Sequence, residues 1–224
     1  MNAAPVDFEH KEEVETPVEP RGGDVQILLA TINARYIHAA VGLRYLMANL
    51  GEMQSVARIL EFEIKQRALD IAGEILAVGA QIVGLGVYIW NAALTAEVVA
   101  ILKKVQPDLV VILGGPEVSY ETLGQPIVEC ADYVITGEAD LKFAEVCRVL
   151  LAGERPVHKV IHAELPQLAG VRMPYGLYSR EDLQNRVLYV EASRGCPFTC
   201  EFCLSSLDVP VRGFDLALFL AELE

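Results

Sequence analysis

Positive charge, cysteine and long apolar runs are all scarce in this sequence, and each scarcity excludes something. Lys and Arg number 18 against 31 Asp and Glu, a formal net charge of −13. A surface of that sign repels phosphate backbones, so non-specific DNA or RNA binding is excluded as the main role. No uninterrupted apolar run reaches the length of about 18 residues that reads as a transmembrane helix, and no membrane partner is expected. Residues 1–23 are acidic and proline-bearing, the reverse of a signal peptide's basic-then-apolar order, and read as a disordered leader. Five cysteines in 224 residues do not make a disulfide scaffold. A reducing, cytoplasmic location is expected, because clustered thiolates must stay reduced.

What is abundant is apolar content, at 53% of residues, which suits a well-buried α/β core rather than a disordered chain. From Asp24 onward, short β-rich runs alternate with longer helical ones, the mark of a parallel sheet with crossover helices. Strands are expected at Val25–Ala30, Ser55–Leu60, Ile82–Ile89, Leu109–Leu113 and Tyr133–Thr136. Helices are expected near His38–Leu50, Lys65–Val78, Ala92–Val105, Val118–Cys130 and Ala139–Ala152. The first, third and fourth strands are nearly all apolar, as required when helices cover both faces. The fold class is therefore α/β, a flavodoxin-like or Rossmann-like layer over residues 24–152 with strand order 2-1-3-4-5.

Residues 153–185 carry Pro156, Pro166, Pro174, Gly170 and Gly176 and read as a linker, with one short strand near Val157–Ile161 joining the first sheet. Arg186–Ala192 is a β run, and Leu216–Leu223 begins a helix. A second, incomplete domain is expected over residues 186–224. Cys130 and Cys147 fall in helical contexts and read as buried thiols.

Directly after that last β run stands Cys196-Pro-Phe-Thr-Cys200-Glu-Phe-Cys203, a C-x3-C-x2-C spacing. Three thiolates so placed can hold a [4Fe-4S] cluster and leave one iron without a protein ligand. The competing reading is structural zinc, which needs four closed ligands. No second C-x2-C exists, and only His158 and His162 could reach across. The run RVLYVEASRGCPFTCEFC, Arg186 to Cys203, resembles the radical S-adenosylmethionine (SAM) superfamily. That resemblance implies that the open iron chelates SAM, that a 5′-deoxyadenosyl radical is produced, and that Phe202 packs near the adenine. It also implies a (β/α) barrel of roughly 250 residues, of which this chain would hold the first strand and cluster loop only.

In an open parallel sheet, ligands sit beyond the carboxyl ends of the strands. Those ends carry Asn33, Arg35, Tyr36 and His38 after the first strand, and Tyr88, Trp90 and Asn91 after the third. Gly114, Gly115, Pro116 and Glu117 follow the fourth, and Gly137 and Glu138 the fifth. The paired glycines permit a sharp turn and close approach to a ligand; a plain turn is the competing reading. Trp90, the single tryptophan, reads equally as core or as cofactor contact. Asn33, Arg35 and Glu117 read either as ligand contacts or as helix caps.

The pieces VILGGPEVSY (Val111 to Tyr120), VITGEAD (Val134 to Asp140), NARYIHAAVGLRYL (Asn33 to Leu46) and GVYIWN (Gly86 to Asn91) resemble the cobalamin (B12)-binding domain of one radical SAM class. They look like its subgroup with a C-terminal region of unassigned function. The resemblance implies a corrinoid across the strand ends, its nucleotide tail passing between the third-strand end and the Gly114-Gly115 turn. Better-known cobalamin modules carry Asp-x-His-x-x-Gly after the first strand. Here Gly42 follows His38 at a spacing of four and Tyr36 stands where the Asp would be. His38, Tyr36 or no protein group are thus the alternatives below cobalt. The implied function is cobalamin-dependent radical SAM chemistry, with methyl transfer to an unactivated carbon as one outcome. The alternatives are a corrinoid-binding module without turnover and a zinc-stapled interaction domain.

Overall fold

The protein is described here by a computed structural model covering residues 25–122, 124–204 and 211–223. The expected leader, residues 1–23, lies outside them. The core is a six-stranded parallel sheet of β1 (Ile27–Asn33), β2 (Ala57–Glu63), β3 (Ile82–Gly86), β4 (Val110–Gly114), β5 (Tyr133–Thr136) and β6 (Val160–His162). The order is β2-β1-β3-β4-β5-β6, and every pairing is parallel. The expected order holds, and the short sixth strand extends it at the edge.

Side chains alternate between the two faces. Leu28, Ala30, Ile32, Val83, Leu85, Val111 and Leu113 pack against Ile71 and Ile75 of α2 (Ala68–Val78) and Val98, Val99 and Leu102 of α3 (Ala92–Val105). Ile27, Leu29, Ile82, Ile112 and Ile135 pack instead against Leu43 and Met47 of α1 (Val41–Ala48). Two helices that the sequence ran together are separate: α4 (Pro116–Ser119) and α5 (Pro126–Cys130). Glu121 and Gly124 have positive φ between them, and Pro126 starts α5 anew. The side chain of Gln125 donates to the carbonyls of Glu117, Tyr120 and Glu121, satisfying groups that a continuous helix would have paired. Cys130, at the end of α5, is exposed and not buried as its helical setting implied, whereas Cys147 in α6 (Lys142–Leu151) is fully buried.

The proline-bearing stretch after α6 carries more structure than its composition shows. It holds β6, two 3₁₀ turns and α7 (Arg180–Asn185), which opens with a capping box between Ser179 and Asp182. A buried ring of charge ties α7 to the sheet. Arg44 pairs with Glu61 at 2.7 Å and Asp182 at 2.8 Å, and Arg186 pairs with the same two at 2.7 and 3.0 Å. Asn33 adds its amide to Glu61 at 2.7 Å.

The β run expected at Arg186–Ala192 is not a strand. Val187 makes a single parallel bridge to His38, while the Tyr189 and Glu191 amides donate to the hydroxyls of Tyr178 and Tyr175. With side chains satisfying its backbone, no ladder forms. The chain pairs only later, as β7 (Ser193–Arg194) antiparallel to β8 (Arg212–Gly213), before α8 (Leu216–Ala221). Among the described residues, no helix is long and apolar enough to cross a membrane.

Candidate functional site

A cleft of about 200 Å³ opens at the carboxyl ends of β3, β4 and β5, between α1 and α6. Its floor exists because three strand residues on one face lack side chains. Gly84 and Gly86 follow Ile82 on the α1 side of β3, and Gly114 follows Ile112 on β4. Phe143 already lies over Gly84, where a Cβ would come within 2.8 Å of its ring. Gly114 stays open to the cleft, while a Cβ at Gly86 would meet Thr31 Oγ1 at 3.2 Å and the Tyr88 ring at 3.5 Å. Leu43, Tyr45 and Tyr88 are among its walls, and Asp140, Glu191 and Arg194 are its charged lining.

The rim is rigidly built. Asn91, fully buried, accepts from the Tyr88 amide at 2.8 Å and donates to the carbonyls of Ile32 at 2.9 Å and Gly86 at 3.1 Å. It therefore ties the ends of β1 and β3 together and sets the Tyr88 backbone. Tyr88 stacks on Trp90 at 4.6 Å with the rings nearly parallel, and Trp90 Nε1 donates to the Ile32 carbonyl. Burial pushes the Tyr88 and Tyr45 hydroxyls above their ordinary pKa, so both stay protonated and uncharged.

At the mouth, Arg194 makes contacts to three carboxylates. It meets Asp140 through two nitrogens at 2.7 and 3.1 Å, Glu138 at 3.0 Å and Glu191 at 3.1 Å. Its guanidinium lies 4.6 Å above the Tyr45 ring. Burial alone would favour loss of its proton. Hydrogen bonding to Asp140 and the charges of Asp140 and Glu191 outweigh that, so its pKa is raised.

Four of the residues singled out by sequence line the cleft: Tyr88, Gly114, Gly115 and Gly137. The others lie outside its lining. Asn33 and Asn91 direct their amides inward to protein partners. Tyr36 donates to Glu181 at 2.5 Å, and His38 Nδ1 lies 2.6 Å from the Tyr189 hydroxyl. Of these two candidates beneath a cobalt, Tyr36 has committed its hydroxyl, while His38 has engaged one ring nitrogen of two. Trp90 is half exposed and Arg35 is exposed. Pro116 starts α4, and the Glu117 amide donates to the Val87 carbonyl. Glu138 is drawn into the pairs with Arg194 and Arg212.

Sequence reasoning missed Gly42, Tyr45, Gly84, Gly86, Asp140 and Arg194 as lining residues. The glycine pair had a signal, since two glycines spaced by two in a buried strand strip one face of side chains. Tyr45 had none, because only the packing of α1 aims it at the cleft.

The cysteines present a different picture. Cys196, Cys200 and Cys203 follow β7 on a loop where Phe202 is 93% exposed. Their chemistry suits iron or zinc, yet among the described residues no three His, Cys, Asp or Glu side chains converge to hold a metal. His162, one of the two outside ligands a zinc site would need, is paired through Nδ1 with Thr136 Oγ1 at 2.8 Å.

The cleft itself fits a flat heterocycle with an apolar body: the floor is backbone, the walls are aromatic and aliphatic, and any Cβ at Gly114 would project into the space. A family model described as the B12 binding domain matches residues 27–147. An uncharacterized methyltransferase from Pyrococcus horikoshii is 30% identical over 195 residues, covering 77% of this chain and 42% of that protein. This chain thus spans less than half the length of that relative. Among solved structures, the radical S-adenosylmethionine methyltransferase TsrM from Kitasatospora setae matches with a TM-score of 0.59 at 14% identity, over 88% of this chain and 44% of that one. That likeness is one of fold. A cobalamin-binding protein from Desulfitobacterium hafniense is 24% identical with a TM-score of 0.41, over 55% of this chain and 57% of that one.

Proposed function

This chain belongs to the B12-binding domain family, and from that premise we propose that it holds a corrinoid across the carboxyl ends of β3, β4 and β5. The nucleotide tail would lie in the cleft over Gly86 and Gly114, between Tyr45 and Tyr88. The glycine floor is the observation that carries this reading, because it opens a trough in a sheet face that is otherwise filled with Ile and Leu. Bound there, a corrinoid supplies a cobalt centre suited to methyl transfer. The chain's own contribution is to exclude water with the walls and fix the rim through Asn91. The protonated Tyr45 and Tyr88 hydroxyls keep those walls uncharged.

In the finer reading, Cys196, Cys200 and Cys203 would supply three thiolates to a [4Fe-4S] cluster, with SAM beside Phe202. Residues from about 186 would open a radical SAM domain, after a connecting stretch from 153 to 185. The cysteine spacing supports this, as does similarity to a methyltransferase of greater length. A second reading, a corrinoid holder without turnover, draws on the contrast between a cleft built by packing and cysteines that do not converge.

Co-elution of cyanocobalamin with the protein on gel filtration tests the cleft. Gly114→Leu is expected to abolish it with the far-ultraviolet circular dichroism unchanged. Co-elution that survives this substitution would sink the cleft assignment. Anaerobic reconstitution tests the finer reading: bound iron with acid-labile sulfide supports the cluster, and protein without sulfide leaves the holder.

A further inference from the structure

Both ends of the cysteine loop are fastened to one carboxylate at the cleft. Arg194 and Arg212 face each other in the β7–β8 ladder, immediately before and after residues 195–211, and both guanidiniums reach Glu138. Arg212 also donates to the Pro166 carbonyl at 3.0 Å. Arg194 adds the two-point contact to Asp140, the pair to Glu191 and the stacking on Tyr45. Asp140, Glu191, Tyr45 and Arg194 all line the cleft. Cys196 lies two residues beyond Arg194, across Gly195, whose φ of +86° turns the chain.

The arrangement has a physical consequence. A planar guanidinium held by two parallel hydrogen bonds to one carboxylate cannot shift without losing both, so it transmits position rather than absorbing it. A group entering the cleft packs on the Tyr45 ring and against Asp140 and Glu191, which are the surfaces Arg194 rests on. Confinement of Arg194 then confines the loop beginning at Gly195.

We infer that Arg194 is a positioning residue that couples occupancy of the cleft to the conformation of the cysteine segment, residues 195–203. The inference rests on the corrinoid reading of the cleft and needs no cluster on the cysteines. By reciprocity, whatever fixes residues 195–203 also tightens the cleft. Arg212, through Glu138, is the second point of attachment.

The test uses the full chain, reduced and free of iron and zinc, with and without saturating cyanocobalamin, whose capped cobalt does not take up a thiolate. Iodoacetamide alkylation is followed at each cysteine by peptide mass spectrometry. Cys130, exposed on α5 away from the cleft, is the internal reference. Saturation is expected to slow Cys196 by about fivefold or more, the lower end of ordinary coupling between sites, with Cys130 unchanged. Arg194→Ala is expected to bring the ratio to about one. Asp140→Asn keeps the shape of the carboxylate while weakening the same contact, and is expected to lower the ratio likewise if the alanine variant does not fold. Cyanocobalamin that binds and leaves Cys196 unchanged overturns the coupling but not the corrinoid reading. A ratio that persists in both variants overturns the role of Arg194. Protein that binds no cyanocobalamin overturns the corrinoid reading, and this inference with it.

Discussion

A Cβ placed on Gly115 would lie 2.5 Å from the carbonyl oxygen of Val87. The two residues directly follow the neighbouring strands β3 and β4, and the Val87 amide donates to the Gly114 carbonyl at 2.8 Å. Gly115 has φ of +106°, where L-residues are strained whatever the space around them. Gly115→Ala is therefore expected to lower stability by about 1–3 kcal/mol, read as a shift in the urea midpoint. Gly114 behaves differently, since its Cβ would meet only the Ile135 carbonyl at 3.7 Å. Gly114→Ala should cost less than about 1 kcal/mol, and a larger side chain there should act on binding rather than folding. Equal destabilisation at the two positions would contradict the geometry.

The charged ring of Arg44, Glu61, Asp182 and Arg186 is buried, each side chain less than one-tenth exposed. Removing one member strands its partners, at a cost of about 3–5 kcal/mol. Arg186→Ala is expected to show that loss by thermal or urea unfolding. The ring also sets a pH dependence. Burial pushes the Glu61 carboxyl up, but Arg186 and Arg44 outweigh it and hold it below its ordinary range. For Asp182 burial is likewise outweighed, by the Ser179 amide and the two arginines. Unfolded carboxylates take up protons at about pH 4, while these two do so only at lower pH when folded. The unfolded state therefore binds more protons as pH falls. The stabilisation is complete above about pH 5 and is lost as pH drops through the folded values. Glu61→Gln should flatten the Tm profile between about pH 5 and 3.

Much of the sheet was legible because buried parallel strands leave continuous apolar runs, and Ile82, Val83 and Leu85 or Val110–Leu113 have nothing else to do. The strand order followed from the flavodoxin-like arrangement that five alternating strand–helix units imply. Less legible were features decided by tertiary partners. The break between α4 and α5 depends on Gln125 capping three carbonyls. The run from Arg186 has strand-like residues, but Tyr175 and Tyr178 take its amides before a ladder can form. At the site, glycines and aromatics at the strand ends could be named from sequence. Tyr45, Asp140 and Arg194 could not, because their convergence comes from three elements far apart in the chain.

Asn91 shows how closely the site depends on the fold. Its side chain satisfies the Tyr88 amide and the carbonyls of Ile32 and Gly86 with no exposure to solvent. Asn91→Ala leaves the Tyr88 amide without a partner, while the Ile32 and Gly86 carbonyls keep Trp90 Nε1 and Thr31 Oγ1, a loss of about 1–3 kcal/mol. Since Tyr88 then loses its anchor, cyanocobalamin affinity should fall as well. Gly79→Ala supplies a control: it also strains a positive φ but lies at the far end of α2. It should reduce stability without changing the affinity of the folded fraction. Affinity that tracks stability alone in both variants would remove Asn91 from the site.

The two cysteines outside the cluster motif should differ sharply in reactivity. Cys147 sits at 0% exposure against the α1 side of the core, and burial pushes its thiol pKa up to about 12. At pH 8 its thiolate is scarce, and reagent cannot reach it unless the domain opens. Cys130 is exposed. In the Cys196→Ser, Cys200→Ser, Cys203→Ser triple variant, iodoacetamide at pH 8 should therefore modify one thiol quickly and the other only at the rate of opening. Bound cyanocobalamin stabilises the folded state by mass action, by about 2.7 kcal/mol at a hundredfold excess over Kd. Cys147 modification should slow by up to the corresponding factor of about 100 if opening is global, with Cys130 unaffected. Rapid labelling of Cys147 in protein that still binds cyanocobalamin would show that α6 detaches from the sheet without disturbing the cleft. Phe143, on that same helix, could not then be the side chain that covers Gly84.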